Sequence, residues 1–302
     1  MSLAKPALSL AAVPGRRQRT LALAKEIEAR GYAGLYCPSF GDGLALCEAL
    51  ALVTDTIPFG TTVQPIYFRQ AEDYAQTTAF IHELAPGRFR FGIGVAHAPS
   101  LATRGLAGGR PLEDTRAFVT AYRAANRAGA LPPLVLATLR RRMIALAVEL
   151  GDGLVFANAA RSHMAFSLAT VPATRRADDA FFIANMIPTC VHDDLATARA
   201  VNRKTLSSYA LLPNYRNYWR EAGYGAEMDA VERCVAEQRL DRVGEALSDQ
   251  WLDDTTLAGP PSRIREELAR WYDAGVKTPI LVPSSANGGQ LQAFEELFAV
   301  FD

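Results

Sequence analysis

The sequence predicts an α/β protein of the (β/α)8, or TIM-barrel, class, and three observations predict it. Short apolar runs rich in strand formers alternate with amphipathic helical stretches along nearly the whole chain, about eight of each. Between Ile57 and Pro99 the order is strand, helix, strand, with no connection of hairpin length, which is the pattern of a right-handed parallel βαβ unit. Polar residues stand where buried strands should end: Thr61, Thr62 and Gln64 after the first of these strands, His97 after the second. In parallel α/β folds that end of the strand is where ligands bind. The chain of 302 residues is long enough for one such domain of about 250 residues plus an insertion. A doubly wound open sheet is the alternative. It is disfavoured because no G-x-G-x-x-G follows the first strand; Gly92-Ile93-Gly94-Val95-Ala96-His97 lacks the third glycine and lies mid-chain.

Each element follows from local signals. Leu8 to Val13 is apolar and ends at Pro14-Gly15, giving a first strand. Thr20 to Arg30 is helical, with Leu21, Leu23, Ala24 and Ile27 as its apolar stripe and Gly31 at its stop. Leu35 to Cys37 is a strand ended by Pro38, and Leu44 to Val53 is a helix of small and apolar residues. A strand over Ile57–Val63, a helix over Glu72–Leu84 stopped by Pro86-Gly87, and a strand over Phe89–Val95 follow. Ser100 to Pro111 reads as a Gly-rich loop, and Leu112 to Arg127 as a helix. Strands are predicted at Leu134–Ala137, Leu154–Ala157 and Phe181–Met186. Helices are predicted at Arg141–Leu150, Ser162–Leu168 and Leu195–Leu206, the last capped by Asp193 or Asp194. From Tyr209 to Leu257 the periodicity is helical throughout, so 209–257 reads as a helical insertion in a single domain spanning 1–302. A helix from Pro261 to Ala274, a strand over Pro279–Val282 and a helix over Gln290–Val300 close the chain.

Composition narrows the partners. Lys+Arg and Asp+Glu both number 32, so there is no basic surplus for a nucleic acid, and a neutral chain is compatible with self-association. No apolar run reaches membrane-spanning length, and the opening residues lack the pattern of a secretory signal. Cys37, Cys47, Cys190 and Cys234 have no paired short spacing. That argues against a metal site and for a reduced, cytoplasmic chain whose cysteines behave as buried apolar residues.

Gly87-Arg88-Phe89-Arg90-Phe91-Gly92-Ile93-Gly94-Val95 is similar to the GRF-x-LG-x-G-V signature of the bacterial-luciferase-like superfamily of flavin-dependent monooxygenases and deazaflavin-dependent oxidoreductases, and three more stretches agree in register. Gly60-Thr61-Thr62-Val63 with Arg69 resembles its third strand and the helix start that follows. Val135-Leu136-Ala137 through Arg142-Met143 to Gly151-Asp152-Gly153 resembles its fifth strand, phosphate-side loop and sixth strand. Leu212-Pro213-Asn214-Tyr215 with Gly223 resembles a segment of deazaflavin-type members. The resemblance implies a (β/α)8 barrel, a homodimer, and FMN or coenzyme F420, a deazaflavin, at the C-terminal ends of the strands. It also implies a non-proline cis peptide at Thr62-Val63 against the cofactor ring.

On that resemblance, Thr61, Thr62, Val63 and Gln64 are expected to meet the ring. Ala137, Thr138, Arg140 and Arg142 are expected at the phosphate side, and Ala157 and Asn158 at a phosphate or ribityl contact. His97 is the expected catalytic proton carrier, because imidazole titrates near neutrality and no other histidine ends a predicted strand. The chain departs from the family pattern at three places. Ser39-Phe40 stands where an acid followed by His is common. Arg69-Gln70-Ala71 replaces Arg-His-Pro. Arg140-Arg141-Arg142-Met143 replaces Gly-Pro-Arg-Met, so Arg140 either grips phosphate or blocks its approach. Two readings therefore stand: an oxidoreductase acting on a small organic substrate, with deazaflavin hydride transfer favoured, or a non-catalytic member that has lost cofactor binding.

Overall fold

The computed structural model describes residues 3–302. In chain order its elements are β1 (Ala7–Ser9), α1 (Arg17–Ala29), β2 (Gly34–Cys37), α2 (Gly43–Val53), β3 (Phe59–Thr61), β4 (Gln64–Pro65), α3 (Ala71–Leu84) and β5 (Phe89–Gly94). Next come α4 (Ala98–Ala102), α5 (Pro111–Ala124), β6 (Leu134–Ala137), α6 (Arg141–Leu150), β7 (Gly153–Ala157), α7 (Met164–Leu168), α8 (Ala173–Ala177) and β8 (Phe182–Val191). The remainder is α9 (Leu195–Ala210), α10 (Pro213–Glu221), α11 (Gly225–Ala236), α12 (Asp249–Thr255), β9 (Leu257–Gly259), α13 (Pro261–Asp273), β10 (Thr278–Ser284) and α14 (Gln290–Phe301). The fold is a (β/α)8 barrel.

Two compact units divide the chain. One comprises Ala4–Phe156 and Thr170–Ala184; the other comprises Ala157–Ala169 and Asn185–Asp302, with Leu3. In the first, the strand order is β1-β2-β3-β5-β6-β7, with β4 also on β5. The registers of β1 on β2, β2 on β3, β3 on β5, β5 on β6 and β6 on β7 are all parallel. In the second, β8 pairs in parallel with β9 through Thr189–Val191 and also pairs β10.

The stretch expected as one strand from Ile57 to Val63 is two. β3 stops at Thr61, the Thr62-Val63 peptide is cis, and the chain resumes as β4 on the same neighbour. Register slips by one residue across the break, since Gly60 lies opposite Arg90 but Gln64 lies opposite Ile93, so the broken strand carries one extra residue in the manner of a bulge. The Thr61 side chain spans it: Oγ1 donates to Gly92 O at 2.8 Å and accepts from Gly92 N at 2.9 Å. The approach is so close that a Cβ on Gly92 would stand 2.0 Å from Thr61 O. Two residues on, a Cβ on Gly94 would stand 2.8 Å from Val63 Cγ2 and 2.8 Å from the Ala137 Cβ. Glycine at these two strand positions is what lets Val63 lie over β5. On the same face of β5 as Gly92, Arg90 lies 5.2 Å from the Phe182 ring, which is 5.3 Å from Tyr36.

Other differences from the sequence-based expectations have local causes. The start of the Ser100–Pro111 loop is occupied by α4, which begins at Ala98 with Pro99 in its first turn. β8 continues past Met186 to Val191 although Pro188 lies within it. β9 at Leu257 closes the helical stretch, and only three residues of pattern mark it. α8 is also additional, five residues between two polar turns. Among the described residues no helix is long and apolar enough to cross a membrane, and no three His, Cys, Asp or Glu side chains are grouped to hold a metal ion. Cys37, Cys47 and Cys190 are buried and Cys234 is half-buried; all four are free thiols.

Thr61→Val keeps the shape of the side chain but leaves the buried Gly92 N–H and C=O without their partner. It should lower the free energy of unfolding by about 1–3 kcal/mol. Urea denaturation checks this, and an unchanged midpoint would show that the bridge contributes nothing.

Candidate functional site

The site is built first from the strand ends of the larger unit. Thr61, Thr62 and Gln64 are all buried, at 2%, 5% and 6% exposure. Thr61 is consumed by its bridge to Gly92. Thr62 Oγ1 and Gln64 Nε2 are buried with no hydrogen-bond partner, and so is Thr138 Oγ1, just past β6. Such groups carry a desolvation cost of about 1–3 kcal/mol each unless something else satisfies them. The Gln64 carboxamide lies against Gly43, where a Cβ would stand 2.9 Å from Nε2. Glycine at the first position of α2 therefore makes its room. Val63 and Ala137 meet over Gly94, so an apolar wall stands between these polar ends.

Tyr74 on α3 donates its hydroxyl to Pro65 O at 2.9 Å and fixes β4 from behind. Burial pushes that phenol up to about 12, against the opposing pull of Arg69. Arg69 in turn faces Asp42, 3.7 Å away, whose carboxylate caps α2 by accepting from Ala45 N.

His97 stands just beyond β5 as the residue that opens α4, its carbonyl accepting from Leu101 N at 3.1 Å. It is half-buried, and that burial lowers its pKa from the ordinary value of 6.5, so the neutral imidazole dominates at neutral pH. The exposed stretch after α4 is tethered from the far end of β4. Tyr67 donates to Asp114 Oδ2 at 2.6 Å and accepts from Gly109 N at 3.4 Å, while Arg104 lies 4.3 Å over the Phe68 ring.

Ala137 is half-buried, and Thr138 N donates to Val155 O at 2.9 Å. Arg140 is exposed and occupies the cap position of α6, where it has no side-chain cap. Arg142 lines a cleft of about 300 Å³ between α5 and α6 with Leu112, Glu113, Arg116 and Glu149. Its position in the first turn of the helix turns it toward α5, whereas Arg140 precedes the helix, between β6 and α6. A second cleft, about 360 Å³, lies between α1 and α2 and contains none of the predicted site residues.

In the other unit, Ala157 ends β7 and is half-buried. Asn158 follows in the left-handed region at φ 56°, 4% exposed, its carbonyl accepting from Trp219 Nε1 at 3.1 Å. Its carboxamide bonds toward the Tyr209 and Tyr215 hydroxyls, which opposes the rise that burial gives both phenols. The aromatic cluster over 209–257 is core: Tyr218, Trp219 and Trp251 are fully buried, the two tryptophans meeting edge-on at 4.7 Å. Sequence reasoning missed Tyr67, Asp114 and Tyr74, whose partners lie far along the chain or on the backbone and leave no spacing signal.

In (β/α)8 barrels this end of the strands carries the binding residues, and here unsatisfied polar groups stand there beside small apolar side chains. Residues 3–278 match the luciferase-like monooxygenase family, and the chain belongs to it. A Mycobacterium tuberculosis protein provisionally named a coenzyme F420-dependent oxidoreductase is 28% identical over 121 residues, 38% of this chain and 35% of the relative. The chain thus spans about a third of the length of that curated relative. Among solved structures, the F420-dependent tetrahydromethanopterin reductase of Methanopyrus kandleri superposes with a TM-score of 0.75 at 12% identity, covering 98% of each chain. An F420-dependent secondary alcohol dehydrogenase in complex with an F420-acetone adduct gives 0.73 at 16% identity over 100% of both chains. The oxygenating constituent of 3,6-diketocamphane monooxygenase of Pseudomonas putida, in complex with FMN, gives 0.64 at 11%, covering 99% and 96%.

Tyr67→Phe removes the hydroxyl that joins Asp114 to Gly109. Trypsin should then cut after Arg104 severalfold faster than in the parent, with the rest of the digest unchanged. Equal cleavage rates would mean that the tether does not restrain the loop.

Proposed function

We propose that this protein is an oxidoreductase acting on a small organic substrate, with a deazaflavin of the coenzyme F420 type favoured over FMN as its cofactor. One observation carries the reading. Thr62 Oγ1, Gln64 Nε2 and Thr138 Oγ1 are buried without partners at the ends of β3, β4 and β6, on the two sides of β5, where Val63 and Ala137 both approach Gly94. A flat heterocycle with donors and acceptors along its edge would satisfy those atoms while its face rests on the apolar wall, so the residues fit such a group. Arg140 would meet its phosphate with a charge-assisted hydrogen bond. The preference for deazaflavin is supported by the names of the Mycobacterium tuberculosis relative and of the two structures with TM-scores of 0.75 and 0.73.

When bound, a deazaflavin supplies a carbon that gives or takes hydride, and a reduced flavin supplies electrons to dioxygen. The chain's own residues do the rest. Val63 and Ala137 hold the ring face and exclude water. The neutral His97 imidazole takes the proton released from a substrate hydroxyl when hydride leaves it. The second reading, a member without cofactor, is favoured by Ser39-Phe40, where no acid or imidazole stands and Phe40 is 66% exposed.

Titration of the purified protein with F420 and with FMN, followed by cofactor fluorescence, separates the two readings. Saturable F420 binding, tighter than FMN, is expected. Arg140→Ala should weaken it by about 1–3 kcal/mol, and Arg142→Ala should leave it unchanged. Tighter binding by Arg140→Gly would mean that Arg140 obstructs the site. No saturable binding of either cofactor would establish the second reading.

His97→Asn should keep cofactor affinity and lower turnover ~10²–10⁴-fold. Because burial lowers the His97 pKa below 6.5, the base is competent above that lowered pKa and is lost as pH falls through it. The acid limb of kcat/KM should therefore lie below pH 6.5 and vanish in His97→Asn. A limb that survives the substitution would remove His97 from the proton path.

Homodimerisation is the remaining proposal. Leu52 on α2 and Phe80 and Leu84, one turn apart on α3, are 72%, 56% and 38% exposed, an apolar surface suited to a second copy. Sedimentation should give a dimer that Phe80→Glu converts to monomer; a monomeric parent would exclude it.

A further inference from the structure

We infer that the cleft between α1 and α2 is a second binding site, which takes a small amphipathic carboxylate with its aliphatic chain between the helices and its charge on Arg17.

The cleft, about 360 Å³, falls within the range of cavities that hold small organic molecules. Its sides follow from helical spacing. On α1, Arg17, Thr20 and Leu21 share one face, at i, i+3 and i+4. On α2, Ala45 and Ala49 stand one turn apart, with Leu46 beside them. Alanine at both α2 positions leaves no long side chain to fill the space between the helices. Thr20 Oγ1 donates within its own helix, to Arg16 O at 3.2 Å.

The turn before α2 closes one end. Gly41 lies so close to Ala12 that a Cβ there would stand 2.6 Å from Ala12 O. Gly41 and Asp42 are both left-handed, at φ 74° and 63°. That backbone is uncommon for a residue with a side chain and persists where the surroundings enforce it. The next residue, Gly43, makes the room for Gln64 Nε2, so one turn borders both this cleft and the strand-end site.

Charge selects the ligand. The cleft is lined by one cation, Arg17, and one anion, Asp42. Asp42 is engaged: it accepts from Ala45 N at 3.2 Å and faces Arg69, 3.7 Å away. Arg17 is exposed, as are Arg16 and Arg19 beside it, and among the described residues no ion pair engages any of the three. The first turn of α1 contains no acid. What the cleft lacks is a negative charge against Arg17, next to apolar walls. A carboxylate matches the guanidinium fork through two parallel hydrogen bonds, and the chain it carries would bury apolar surface against Leu21, Ala45 and Ala49.

The test is isothermal titration of the cofactor-free protein with butanoate, hexanoate and octanoate at fixed ionic strength, and with 1-octanol as the uncharged probe. The fatty carboxylates should bind saturably at one site per chain, with affinity rising about twofold to fourfold per added methylene. 1-Octanol should bind about threefold to tenfold more weakly than octanoate. Arg17→Gln should remove the advantage of octanoate over 1-octanol and keep the dependence on chain length. Ala45→Phe, at an exposed position, fills the cleft and should abolish binding of both probes, with an unchanged melting temperature showing that the fold is intact. If that variant does not fold, Ala49→Leu decides in its place. Octanoate binding that survives filling of the cleft, equal affinity for octanoate and 1-octanol in the parent, or no saturable binding would overturn the inference. None of these measurements needs a cofactor, so their outcome is independent of the function proposed above.

Discussion

The candidate site depends on one close approach: the backbone carbonyl of Thr61 against the α-carbon of Gly92. A Cβ at Gly92 would lie 2.0 Å from that oxygen, so the contact exists only because the side chain there is a hydrogen atom. The Thr61 hydroxyl completes the contact by donating to and accepting from the Gly92 peptide groups. With the chain anchored there, Val63 is laid over Gly94 beside Ala137, and Thr62 and Gln64 are carried into buried positions. Wall and polar ends are products of the same local geometry.

That arrangement costs stability. Polar atoms such as Thr62 Oγ1 and Thr138 Oγ1 have lost water without gaining a protein partner. A fold selected for stability alone would fill such places with apolar groups or pair them. Departures from that rule are expected where a ligand supplies the missing partner. In the other unit the turn after β7 is held by hydrogen bonds from Trp219 and Tyr218, 61 and 58 residues away in sequence.

Much of this was legible in the sequence. Strand and helix alternation, the glycine stops and the polar residues after Gly60 and Val95 are local signals, and the chain obeys them. The cis peptide lies at Thr62-Val63, where the family resemblance places it. The lapse of pairing between β3 and β4 was not legible from local pattern, because Thr61-Thr62-Val63 is a run of strand formers on both sides of it. Nor were the tethers. Tyr67 and Asp114 are 47 residues apart, and neither carries a motif. The side Arg142 takes on α6 depends on its helical position relative to α5, which a run of three arginines does not disclose.

The central claim is that unpartnered polar atoms at the strand ends await the edge of a cofactor ring. Thermal unfolding of Thr138→Val, with and without F420, tests it most directly. Valine removes a buried hydroxyl without a partner, so the cofactor-free variant should melt above the parent, while the rise in Tm produced by F420 should shrink. A variant that melts below the parent, and that F420 stabilises as much as it does the parent, would contradict the account.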